Sequence, residues 1–128
     1  MTDILFDTDV CIRYLRKPSN ARFSLLQALR GGVQGYCSVI TQAELLAGAR
    51  TPVHAIEATT LLNQMIILPA GTAEASLAGD FLSTFAKSIG LGLGDAFIAA
   101  TAVFAGLPVA TENVRHFEPL PGVVLLDT

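Results

Sequence analysis

Three carboxylates stand where the apolar pattern of this chain changes: Asp7, Glu44 and Asp95. Asp7 closes the apolar run Ile4-Leu5-Phe6, and the residues beyond it (Val10, Ile12, Tyr14, Leu15) follow a helical period. Glu44 falls in the first turn of a helix predicted after the apolar stretch 35–40, and Asp95 opens the almost wholly apolar stretch 95–105. A buried strand that delivers a carboxylate into the turn above a parallel sheet is how open α/β folds place their chemistry. Three acids meeting there would repel one another. A hard divalent cation, which prefers oxygen ligands, resolves that repulsion. Mg²⁺ keeps several waters and needs one or two carboxylates, which suits so sparse a set, and Mn²⁺ takes similar ligands. Such an ion lowers the pKa of a bound water and stabilises negative charge on a phosphoryl oxygen. The cysteines Cys11 and Cys37 and the histidines His54 and His116 form no zinc-binding cluster.

Each acid also has a structural explanation. Asp9 is an ordinary N-cap candidate for the first helix, and that reading is preferred for it. Thr41-Gln-Ala-Glu44 fits a capping box, in which Glu44 reaches back to the Thr41 amide. Asp95 can simply cap the helix that it opens. Asp7 is harder to explain in this way. It follows a strand expected to be central, where a carboxylate is desolvated unless a cation or donor meets it. No Lys or Arg precedes Arg13. His116 lies in a polar loop near the proposed site and reads as a surface histidine.

The elements that must position these groups alternate. Strands are predicted at 4–6, 35–40, 65–68, 107–110 and 123–126. Helices are predicted at 10–16, 21–29, 41–49, 53–63, 72–88 and 95–105, with Pro18, Gly31-Gly32, Pro69 and the loop Gly90–Gly94 as breaks. Short apolar strands alternating with helices specify an α/β fold: a parallel sheet flanked by helices on both faces. The 128 residues suit one domain without linker or repeat. Hydrophobic residues make up 52%, enough for a core with apolar surface left over for an oligomer interface. No run approaches the roughly 20 apolar residues of a membrane span. The N-terminus lacks the early basic residues of a signal peptide, and two cysteines give no disulfide framework, so a cytoplasmic protein is expected. The net charge of -3 argues against nonspecific nucleic-acid binding over the whole surface. Five of the eight basic residues (Arg13, Arg16, Lys17, Arg22, Arg30) nevertheless cluster early. They could line one side of a phosphate-binding groove, or form a solvated helical face, the preferred reading.

The same residues resemble the PIN-domain nucleases, and within them the VapC-type toxins of bacterial toxin–antitoxin pairs. The resemblance covers nearly the whole chain, and four segments in order carry it: Ile4-Leu-Phe-Asp-Thr-Asp-Val10, Ser38-Val-Ile-Thr-Gln-Ala-Glu-Leu-Leu-Ala-Gly-Ala-Arg50, Gly92-Leu-Gly-Asp-Ala-Phe-Ile-Ala-Ala-Thr-Ala102 and Leu107-Pro-Val-Ala-Thr-Glu-Asn-Val-Arg-His-Phe-Glu-Pro119. The resemblance implies a single PIN-like domain over residues 1–128, with a five-stranded parallel sheet between helices and the site at the strands' carboxyl ends. It implies that Asp7, Glu44 and Asp95 hold Mg²⁺ or Mn²⁺, and that the ion serves endonucleolytic hydrolysis of RNA, in tRNA or rRNA loops, that inhibits translation. A homodimer and a cognate antitoxin are the implied partners. Many relatives carry a fourth acid where this chain has Thr111-Glu-Asn113. Asn113 offers a carbonyl oxygen without charge, and Thr111 can donate a hydrogen bond to Asp7 or a ligand water. One ion is therefore expected, with Glu112 pointing away from the site.

Two other classes share pieces of this pattern. Asp7-Thr-Asp9 after an apolar strand also resembles the opening of haloacid-dehalogenase-type phosphatases, which need a downstream Lys and a further acid pair. Here the only later Lys is Lys87, mid-helix, and the acid after Asp95 is Glu112. A receiver domain needs an Asp ending the third strand, where this chain has Leu68-Pro69. A PIN-like fold kept as a catalytically inactive binding module is the remaining alternative.

Overall fold

Strands that are apolar at consecutive positions need cover on both faces, and that requirement sets the architecture. The computed structural model describes residues 3–16, 25, 28 and 31–126. In chain order its elements are β1 (Ile4–Phe6), α1 (Thr8–Arg16), β2 (Gly35–Ser38), α2 (Val39–Gly48), α3 (Pro52–Leu62), β3 (Ile66–Leu68), α4 (Thr72–Ile89), α5 (Leu93–Ala105), β4 (Val109–Ala110) and α6 (Val114–Phe117). Leu25 and Ala28 are helical, as predicted for 21–29. The rest of that helix, and Lys17, Arg22 and Arg30 of the basic cluster, lie outside the described residues.

The sheet is parallel, in the order β3-β2-β1-β4. Leu5 sits opposite Tyr36 on one side and Val109 on the other, which makes β1 central, as the sequence suggested. Alternate side chains divide the core. Ile4, Phe6, Cys37 and Ala110 face Val10, Cys11, Leu45, Ala58 and Leu61, so α1, α2 and α3 cover that face. Leu5 and Val109 face Phe81, Ala96, Ile98, Ala99 and Phe117, so α4, α5 and α6 cover the other. The apolar composition of α5 has its explanation here: six of its residues, Ala96, Ile98, Ala99, Ala100, Thr101 and Ala102, are buried.

One expectation is corrected. The sheet has four strands, not five. The stretch predicted as strand five reduces to one parallel bridge between Val109 and Leu125, held by Val109 N–H to the Val124 carbonyl and Leu126 N–H to the Val109 carbonyl, both 2.8 Å. A partner strand of two residues leaves no ladder to extend.

The order of strands places the site. The chain runs outward from β1 through β2 to β3 and then returns to the far side of β1 as β4. The direction of winding reverses between β1 and β4, and the crevice at their carboxyl ends is where ligands bind in open α/β sheets. Asp7 ends β1 and Thr111 follows β4, and Asp7 N–H bonds the Ala110 carbonyl at 2.9 Å.

The helix starts differ from the predicted ones in a way that frees the acids. α2 begins at Val39 with Ser38 as its N-cap, whose hydroxyl accepts from Ile40 N–H at 3.0 Å. The capping box at Thr41 and Glu44 is therefore not formed. α5 begins at Leu93 after Gly92, so Asp95 sits at its third position and does not cap it. The assignment makes a separable prediction. Ser38→Ala should cost about 0.5–2 kcal/mol in denaturant unfolding. Glu44→Ala should change stability by no more than about 0.5 kcal/mol, as a surface substitution does.

Candidate active site

Asp7 is the deepest of the three acids. Its residue is 3% exposed, at the start of α1, and its carbonyl accepts from Cys11 N–H at 3.3 Å. The cap position of the first helix thus belongs to Asp7 and not to Asp9. The carboxylate is held from two sides: Oδ1 accepts from Thr8 N–H at 2.8 Å and Oδ2 from the Thr111 hydroxyl at 2.8 Å. Thr111 in turn accepts from Asn113 N–H at 2.9 Å. The predicted Thr111–Asp7 bond is present.

Glu44 reaches the same end of the sheet through Thr8, whose hydroxyl donates to Glu44 Oε1 at 2.7 Å. A hydroxyl has one proton, so Thr41, 2.9 Å away, donates to the Thr8 oxygen. On its other side Glu44 Oε2 lies 3.6 Å from where a Cβ on Gly94 would stand. Glu44 therefore rests against the N-terminal turn of α5, next to Asp95, where free N–H groups favour negative charge.

Asp95 is half-buried, and its Oδ2 lies 2.7 Å from His116 Nδ1. His116 also touches the Asn113 amide at 2.7 Å. Contacts link Glu44, Thr8, Asp7, Thr111, Asn113, His116 and Asp95 in one open chain, whose two ends approach each other at Gly94. Every member of the predicted site lies on this chain.

Two residues to which sequence reasoning gave other roles join the site. Asp9, read as a cap, accepts from Glu112 N–H at 3.3 Å and lies 3.4 Å from the Thr111 hydroxyl. It ties α1 to the 111–113 segment. Its signal was the two-residue spacing from Asp7, which a helix start explains equally well. His116, read as a surface side chain, meets Asp95 from 21 residues away, a contact that no local pattern encodes. The Glu112 carboxylate pairs with Arg13 at 2.8 Å, and its charge also acts on Asp9.

The electrostatics follow from burial. The Asp7 carboxyl is pushed up from 3.8 to about 8, first by desolvation, then by the charge of Asp9, with Asp95 adding to it; the bonds from Thr111 and Thr8 act the other way. Burial also raises Asp9, where the Glu112 amide opposes it. Among the described residues no Lys or Arg pairs with Asp7, since Arg13 is engaged by Glu112.

Among the described residues, no three His, Cys, Asp or Glu side chains stand together as a finished metal cage: Asp95 is drawn to His116 and Glu44 to Thr8. The donor chemistry nevertheless fits a hard dication. The oxygens are carboxylates of graded burial at one end of the sheet, and burial with the neighbouring charges pushes the deepest, Asp7, toward its neutral form unless a cation meets it. An ion that keeps waters needs only one or two of them directly.

Comparison with known proteins shows the family of the chain. Residues 4–120 match the family model of the PIN domain. The chain is 41% identical over 115 residues to Ribonuclease VapC10 of Mycobacterium tuberculosis, covering 89% of this chain and 85% of that protein. A chain in a toxin–antitoxin complex from Klebsiella pneumoniae superposes with a TM-score of 0.74 at 29% identity, covering 95% of this chain and 96% of that one. A chain in DNA-bound VapBC from Salmonella typhimurium gives 0.76 at 28%, covering 99% and 98%. A chain of VapBC2 from Rickettsia felis gives 0.81 at 20%, with 99% of each chain covered, which speaks to the fold alone. This chain belongs to the PIN-domain family, among its VapC-type members. The phosphatase and receiver readings fall with that assignment.

The buried charge has a measurable signature. A carboxyl whose folded pKa is raised stabilises the fold fully below its unfolded value of 3.8, and that contribution is lost as pH rises through about 8. In chelator, the Tm of the wild type should fall relative to that of Asp7→Asn between about pH 4 and about pH 8. Mg²⁺ should restore the wild type most at the upper end. Parallel pH profiles for the two proteins would contradict the assignment.

Proposed function

We propose that this protein is the toxin of a toxin–antitoxin pair, an endoribonuclease that hydrolyses phosphodiester bonds in RNA and thereby inhibits translation. Its substrates would be looped segments of tRNA or rRNA, and a cognate antitoxin would hold it silent. The observation that carries the reading is the buried Asp7 carboxyl at the reversal point of a parallel sheet, raised by the charges of Asp9 and Asp95 and linked through Thr8 to Glu44. The 41% identity to a protein named as a ribonuclease, and the likeness to chains from toxin–antitoxin complexes, support the RNA substrate and the partner.

In this reading Asp7, Asp95 and Glu44 hold Mg²⁺ or Mn²⁺. When bound, the ion would supply a more acidic water and a counter-charge for the phosphoryl oxygens. The chain's own groups prepare that site. Thr8 and Thr111 fix both oxygens of Asp7, so its carboxylate cannot rotate out of the crevice. Thr8 also fixes Glu44. Asn113 offers an amide and adds no charge to those of Asp7, Asp9, Glu44 and Asp95, and we read the site as holding one ion. Apolar side chains left on the surface, among them Val53, Ile56, Leu93, Phe104 and Val124, would serve a homodimer and the antitoxin.

The test is direct. Purified protein incubated with tRNA or total RNA should cut it in Mg²⁺ or Mn²⁺ and stop in chelator. Asp7→Ala should lower the rate about 100-fold or more, since charge stabilisation by a bound ion is worth several kcal/mol. Cleavage that persists in chelator or survives Asp7→Ala would overturn the reading. A folded protein that cuts no RNA under any of these conditions would favour the inactive binding module.

A further inference from the structure

Asp95 has one side-chain partner among the described residues, and it is His116. The residue before its helix is Gly92, which has no side chain to cap the turn, so nothing on α5 itself orients the carboxylate. His116 is well placed to do so. It sits on α6, a short helix whose next residue, Phe117, is fully buried in the core. Its backbone N–H bonds the Asn113 carbonyl at 3.1 Å, which fixes the turn that presents the ring.

The protonation pattern of the ring follows from its two neighbours. In the ring plane, Nδ1 carries either one hydrogen or one lone pair. The Asp95 carboxylate 2.7 Å away is an acceptor, so Nδ1 carries the hydrogen and donates. An amide nitrogen cannot donate to a nitrogen that is itself donating. The Asn113 amide, 2.7 Å from the same atom, must then present its carbonyl oxygen there and turn its nitrogen away. A single N–H shared between Asp95 and Asn113 ties both predicted site residues to one ring.

We propose that His116 is a positioning residue: its Nδ1–H holds one oxygen of Asp95 and so leaves the other turned toward the crevice for the dication. The inference rests on the metal-dependent reading above and deepens it. Carboxylates that ligate metals are themselves hydrogen-bonded, and loss of such a supporting partner costs about 10–100-fold in metal affinity or activity. The competing explanation is an exposed pair that contributes only to stability. With side chains 24% and 27% exposed, such a pair would shift Tm slightly and leave metal binding alone.

Mn²⁺ titration of the full chain, read by the loss of the free-ion electron paramagnetic resonance signal, separates the two. His116→Ala should bind Mn²⁺ about 10–100-fold more weakly than wild type. Its kcat for RNA cleavage should fall by a similar factor with KM little changed. His116→Asn puts an amide nitrogen where Nδ1 stood and should recover most of the affinity. His116→Gln preserves bulk but carries its nitrogen one bond further out, and should not; it also serves in place of the alanine variant if that fails to fold. Equal Mn²⁺ affinity in wild type, His116→Ala and His116→Gln overturns the proposal, as does a loss that His116→Asn fails to recover. A wild type that takes up no Mn²⁺ overturns the metal-dependent reading, and this inference with it.

Discussion

Asp7 cannot carry its charge at the end of a buried central strand unless something meets that charge, and the arrangement around it is the answer to this constraint. Burial is the largest influence lifting its carboxyl, and Asp9 and Asp95 lift it further, to about 8. Thr8 and Thr111 donate one hydrogen bond each, which orients the group without neutralising it. A cation supplied from solution would convert the same repulsion into binding energy. A lone charge on Asp7 is therefore costly, which marks this end of the sheet as the candidate site.

Topology makes that cost unavoidable. Because β1 is flanked by β2 and β4, its last residue has no route to bulk water along the sheet. The winding reverses between β1 and β4 at the same point, and the 111–116 segment packs there against Asp9 of α1 and Asp95 of α5. Asp9 and Arg13 on α1 hold that segment through the Glu112 amide and carboxylate. The Arg13–Glu112 pair is too exposed to add much stability. Its effect is to keep Thr111 and His116 in register with the acids they serve.

Much of this was readable in the residues, and the failures have specific causes. β1, the burial of α5 and the place of Asp7 follow from apolar runs broken by polar residues, and the Thr111–Asp7 bond from the resemblance to the family. The capping box at Thr41 and Glu44 failed because Ser38 satisfies the same rule three residues earlier, and the structure uses the earlier serine. Thr41 turned inward to Thr8, and Glu44 was released for the crevice. Asp9 failed for the mirror reason: two acids flank the helix start and either could cap it. The fifth strand shrank to a bridge because β4 offers only two residues to pair with, a length that its apolar run 107–110 does not reveal. His116 escaped because its partner is distant in sequence and periodicity speaks only to neighbours.

The central claim is that the carboxylates of Asp7, Asp95 and Glu44 surround a place for one dication. Anomalous diffraction at the manganese edge from a crystal soaked in Mn²⁺ tests it most directly. The account predicts a single strong peak within ligand distance of Asp7 and Asp95, with Glu44 reaching it directly or through a water. A crystal that shows no peak there, although the same preparation cleaves RNA in Mn²⁺, would contradict it.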